Sequence, residues 1–259
     1  MTAVRATSDD LSTGRVVART CAAEWTRLWT VGSTWWSVAA AAVVMVGLGA
    51  IAGFDTDTGG IAWQAARISA VPAQFALLAL ALTAVTADHA TGGIVPTLQW
   101  TPRRGVLFLA RTLVAVGTAA VLAVLLGTAA SLVATAAAGP NLELPVGEGV
   151  DALGMVAVVV GAGAALAVGL GFLLRSTAGG LVSVFLLLLV LPALMPQLGY
   201  GWLTTAADRL PGTGVLFLLL GEPLGRGLTT TSAVLTMLAW AGGALLLGWL
   251  RFSRTDANR

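Results

Sequence analysis

The stretch ALGMVAVVVGAGAALAVGLGFLL (152–174) holds 23 consecutive residues without a charge. Wound as a helix at 1.5 Å per residue, it is about 34 Å long, enough to cross a hydrocarbon core about 30 Å thick. Only Arg175, Ser176 and Thr177 separate it from a second uncharged run, AGGLVSVFLLLLVLPALMPQL (178–198). Two such runs joined by so short a turn predict two antiparallel spanning helices. Working outward, runs of similar size occur at 35–54, 68–87, about 108–135 with Arg111 near its start, and 232–250. The prediction is an all-α integral membrane protein with six transmembrane helices.

Composition agrees. Of the 259 residues, 57% are hydrophobic and only 10% are charged, against about 25% charged in soluble domains. Mean hydropathy is +0.90. So little charge cannot cover a water-facing surface, and lipid is the other solvent available. The first 34 residues carry Arg5, Asp9, Asp10, Arg15, Arg19, Glu24 and Arg27. That leaves no early apolar run to act as a secretory leader, so the first long run reads as a retained anchor.

The 14 basic residues are all arginine, which excludes a lysine-dependent phosphate loop of the G-x-x-x-x-G-K-[ST] kind. One cysteine (Cys21) and one histidine (His89) allow neither a disulfide framework nor a Cys/His metal site within one chain. The pair Asp88–His89 stands at a helix end without a nucleophile beside it, so a histidine-based hydrolase is not expected. No acid falls in the middle of a span, where proton- or ion-coupled carriers place one. The chain is therefore expected to hold no catalytic, cofactor or metal site, and to take any energy from a partner.

Arginines flank the spans unevenly. With six spans both termini share a face, and eleven arginines lie beside it, including Arg103, Arg104, Arg111, Arg175 and Arg251. Three (Arg67, Arg209, Arg226) lie on the other face. By the positive-inside rule both termini are cytoplasmic, in a bacterial inner membrane. Residues 15–31 form another kind of element. On a helical wheel Val17, Ala18, Cys21, Ala22, Trp25, Leu28 and Trp29 share one face, and Arg15, Arg19, Glu24, Arg27 and Thr30 the other. That pattern predicts an amphipathic helix at the membrane surface. Residues 1–14 read as a disordered cytoplasmic tail, 32–252 as the six-helix domain, and 253–259 as a second tail. Between 199 and 231, the run GVLFLLLG (214–221) is too short to span and is bracketed by Pro211, Gly212 and Pro223. It reads as a short re-entrant helix, with a hydrophobic loop clamp as the alternative. The spacing Gly49/Gly53 reads as close packing inside one subunit rather than as a dimer face.

The remaining stretch is DHATGGIVPTLQWTPRR (88–104). Its apolar set Ile94, Val95, Leu98 and Trp100, followed by Pro102-Arg103-Arg104, has two readings. It is a knob that docks a soluble partner, or a loop whose arginines only fix topology. The stretch resembles the cytoplasmic coupling loop of type-2 ABC exporter permeases. Their actinobacterial members carry a pattern like E-x-x-x-G-T-I-x-x-T-L-x-x-x-P-R-R, matched here by Asp88, Gly92, Ile94, Thr97, Leu98, Pro102, Arg103 and Arg104. Asp88 and Gly93 depart from the usual Glu and Thr, and Pro96 moves the expected start of the coupling helix to itself. Arg111 stands where the family often has a lysine. Glu24-Trp25-Thr26-Arg27-Leu28, Leu174-Arg175-Ser176-Thr177-Ala178-Gly179 and Arg254-Thr255-Asp256-Ala257 are also similar to the family, in the same order along the chain.

The resemblance implies a permease subunit exporting a hydrophobic or amphipathic cargo (drug, natural product, peptide or lipid). It implies a separate ABC ATPase subunit carrying ATP and Mg, and a second copy or homologous permease as a dimer partner. Membrane lipid surrounds it, and no nucleic acid is involved. The implied ATPase-coupling contacts are Glu24, Arg27, Asp88, His89, Gly92, Thr97, Leu98, Trp100, Pro102, Arg103 and Arg104. The reading from another class is a non-transporting membrane scaffold or signalling partner.

Overall fold

The computed structural model describes residues 13–54, 60–91, 104–221 and 227–254, with the side chains of Thr13, His89, Ala90 and Thr91 left out. The described chain is helical apart from short connections and two two-residue strands. We label the helices α1 (Thr13–Thr30), α2 (Gly32–Phe54), α3 (Trp63–Thr91), α4 (Arg104–Ala138) and α5 (Val146–Leu174). They continue as α6 (Thr177–Leu198), α7 (Gly201–Ala207), α8 (Pro211–Leu220) and α9 (Thr230–Arg254). Six of them, α2 to α6 and α9, are long and apolar enough to cross a membrane. The protein is thus an all-helical, multi-span membrane protein, and every expected span lies within one of these helices.

The spans pack through small residues. A Cβ on Gly49 or Gly53 of α2 would collide with the backbone of Ala130 or Ala134 of α4. The Gly-x-x-x-Gly spacing therefore serves a contact inside the chain. A Cβ on Gly248 of α9 would sit 2.6 Å from the Gly169 carbonyl oxygen of α5, so these two helices meet backbone to backbone. Close approach of this kind replaces the hydrophobic effect, which cannot drive association where lipid is as apolar as the side chains. The buried core runs through Ala41, Met45, Leu77, Leu82, Ala119, Val159 and Val168.

One face of the bundle gathers α1, the end of α3, the start of α4, the α5–α6 turn and the end of α9; we call it the terminal face. Arg175 caps α5 there in the left-handed region (φ 55°), its N–H bonding Gly171 O at 2.9 Å. Ser176 then caps α6 by accepting from the Gly179 N–H. At the opposite face, strand Gly60–Ile61 pairs in parallel with Leu142–Glu143, and Trp63 Nε1 donates to Pro145 O at 2.9 Å.

Two local features differ from expectation. α1 runs over Thr13–Thr30, close to the expected 15–31, but Glu24 and Arg27 turn toward the bundle beside buried Leu28, while Trp25 is 49% exposed. The wheel put both charges on the water side. They turn inward because α3 and α4 present charges that need them. The short re-entrant element is a pair of helices, α7 and α8, rather than α8 alone.

Candidate functional site

Four charges meet at the terminal face. Glu24 and Arg27 are one turn apart on α1 and bond each other (Nη1 to Oε2, 3.1 Å). Arg27 Nη2 donates to Asp88 Oδ1 near the end of α3. Arg111, two turns into α4, donates from Nε to Glu24 Oε1 at 3.0 Å and from Nη2 to Asp88 Oδ2. The ring is neutral and joins three helices. The Arg111 side chain is 1% exposed, those of Glu24 and Asp88 12%, and that of Arg27 31%.

This order of burial has a physical cause. Taking a guanidinium out of water costs several kcal/mol unless carboxylates compensate it. Arg111 lies on a spanning helix, so the carboxylates have to come to it, and α1 and α3 each supply one. Among the described residues Arg111 Nη1 has no side-chain or backbone partner. It lies beside a cavity of about 20 Å³ lined by Ser33, Thr34 and Thr83, with room for one water. Trp29 and Trp35 fasten the α1–α2 corner, with ring centroids 5.2 Å apart and Trp35 Nε1 donating to Trp29 O at 3.1 Å.

A second terminal-face contact holds α4 to α9. Arg104 Nη1 donates to Phe252 O (3.4 Å) and Ser253 O (3.3 Å), satisfying carbonyls at the end of α9. One turn deeper, the rings of Phe108, Phe172, Phe252 and Trp249 form a tier, with Phe108 and Phe172 centroids 4.7 Å apart. Arg175, at the turn below this tier, has its pKa pushed down by burial first and then by the charges of Arg251 and Arg104. Arginine basicity is high enough that it stays protonated at neutral pH.

The structure therefore brings together Glu24, Arg27 and Asp88, and places Arg104 at the end of α9. It places the His89 backbone in α3. Gly92, Thr97, Leu98, Trp100, Pro102 and Arg103, with the helix start expected at Pro96, lie outside the described residues. The contact set expected from sequence omitted Arg111, the member most deeply buried. A signal for it was present: it is a lone charge two turns inside an apolar run, on the face that also holds Glu24 and Asp88. Among the described residues no group of His, Cys, Asp or Glu could hold a metal ion.

The fold and this site define a class, the all-helical multi-span membrane proteins, and an architecture that fits a membrane transporter subunit. No protein-family model matches the chain, and no curated protein matches it.

Proposed function

We propose that the chain is the permease subunit of an ATP-binding-cassette exporter. The terminal face lies in the cytoplasm, ATP and Mg are held by a separate ATPase subunit, and two permease subunits flank the pathway. The observation that carries this reading is the ring Glu24–Arg27–Asp88–Arg111. It ties α1 to the two spans that flank the 92–103 segment, so a push on that segment moves α1, α3 and α4 together. A coupling device needs such a rigid joint, whereas a loop that only fixed topology would not.

The chain hydrolyses nothing in this scheme. Closure of the ATPase pair presses on the segment after Asp88, the ring and the Arg104 contact pass the motion to α3, α4 and α9, and the pathway changes its opening. Leu98 and Trp100 supply apolar docking area, and Arg103 meets acids on the ATPase. The test is copurification with co-expressed ATPase subunits, followed by ATP turnover in vesicles. Arg103→Glu with Arg104→Glu is expected to keep the membrane fold and lose stimulation of turnover by amphipathic compounds. Undiminished binding and stimulation in the double variant would remove the coupling claim.

A further inference from the structure

The connection between α6 and α9 is a helical hairpin whose tip reaches the middle of the bundle. Trp240 Nε1 donates to Arg209 O at 2.8 Å, and Trp240 is the eleventh of the 25 residues of α9. Independently, a Cβ on Gly212 would overlap the backbone carbonyl of Leu188, the twelfth of the 22 residues of α6. α8 then climbs back along α9, with Gly214 against Met237 and Ala233. Two spanning helices thus place Arg209 near their midpoints, about 15 Å from either edge of a hydrocarbon core about 30 Å thick.

The tip backbone is satisfied. Arg209 N–H bonds Ala206 O, Leu210 N–H bonds Ala207 O, and Thr213 Oγ1 donates to Ala207 O. Leu210 to Gly214 are buried. Irregular backbone is tolerated at this depth under just such cover. The Arg209 side chain, however, is exposed, while its neighbour Asp208 is half-buried. Trp202 and Thr205, on one face of α7 just before the tip, are exposed as well. An arginine side chain is too short to reach either membrane surface from mid-depth, and a guanidinium there faces water or a counter-charge, not acyl chains.

Trp240 also belongs to a groove of about 360 Å³ between α5, α6 and α9. Its other walls include Leu166, Leu170, Leu187, Gly243 and Leu247, and among the described residues no charged one lines it. The volume lies within the range of small-molecule sites. An apolar wall that begins at the residue touching Arg209 suits a molecule with one charged end.

We propose that Arg209 lines a water-filled recess at mid-membrane and recognises the anionic head, carboxylate or phosphate, of an amphipathic cargo whose apolar body lies in the Trp240–Leu247 groove. A guanidinium matches such oxyanions in a bidentate fork. The proposal rests on the permease reading for the word cargo, but its test needs no ATPase. In a Cys21→Ala background, Arg209→Cys and Leu125→Cys are compared in vesicles with a membrane-impermeant sulfonated maleimide. Leu125 is 59% exposed and lies inside α4. Modification at position 209 at least tenfold faster than at 125 is expected, and equal rates would overturn the recess.

Radiolabelled oleate is then titrated onto the purified full chain in detergent. The expectation is saturable binding that oleyl alcohol does not compete, kept in Arg209→Lys and weakened at least tenfold in Arg209→Gln. Undiminished binding by Arg209→Gln, or equal competition by oleyl alcohol on the unaltered chain, would overturn the assignment. The competition result stands even if the glutamine variant fails to fold. Failure of the exporter reading would appear elsewhere, as transport that ignores the ATPase.

Discussion

Arg111 and Arg209 are both arginines on elements that lie within the spanning bundle, and their surroundings are opposite. Arg111 is sealed, its side chain 1% exposed, with two carboxylates brought to it from other helices. Arg209 is open, with its carbonyl fixed by Trp240 and its side chain exposed. A charge that a subunit satisfies internally can hold helices together and pass on motion. A charge left exposed at membrane depth is open to water or to an anionic group from outside the subunit. A charge at membrane depth is costly, about 2.5–3.5 kcal/mol or more for an arginine at the centre of a spanning helix. Both positions therefore need compensation: Arg111 has it from Glu24 and Asp88 within the chain, and Arg209 is assigned it from an anionic cargo.

The strongest way to break the contrast is Arg111→Met. It leaves Glu24 and Asp88 to share Arg27 alone, with one partly buried negative charge uncompensated, and removing one member of a buried ion pair costs about 3–5 kcal/mol. The expected outcome is loss of monodisperse protein in detergent and a steep fall in melting temperature. Adding Glu24→Gln alone to Arg111→Met is expected to recover much of that loss, since Arg27 and Asp88 then remain as a balanced pair. Melting curves of the single and double variants check both statements. Next in size is Gly248→Val, where the new side chain meets the Gly169 backbone with no flexible neighbour to yield. Overpacking of this kind costs about 1–3 kcal/mol, and α5 and α9 should separate in a cysteine cross-linking assay. Arg27→Ala should be milder. Its side chain is 31% exposed and solvent screens its pairs, so about 1 kcal/mol or less is expected, measured as a small melting shift that salt diminishes. Mildest of all is Trp35→Phe, which removes one exposed hydrogen bond to Trp29 O and should shift melting by a degree or two at most.

The spans were legible in the sequence because a membrane imposes one length on every crossing segment, and the uncharged runs had that length. The facing of α1 was not. A wheel ranks residues by their own polarity, which sent Glu24 and Arg27 to water, while Arg111 on a helix 87 positions away from Glu24 reversed that choice. Asp88 was picked out as part of a coupling motif, yet its two arginine partners are long-range contacts that no local pattern encodes. The run at 214–221 marked a re-entrant helix correctly. α7 went unseen because Trp202, Thr204 and Thr205 carry no apolar periodicity. Arg209 likewise lies outside every uncharged run and reaches mid-depth from a connection and not from a span.

The most direct test of the exporter reading is reconstitution of the purified chain in vesicles, with and without a copurifying ATPase, following a fluorescent anionic amphipath against its gradient. Uphill movement that needs both the ATPase and ATP is the expected result. Uphill movement by the chain alone, driven by a proton gradient and indifferent to nucleotide, would contradict it.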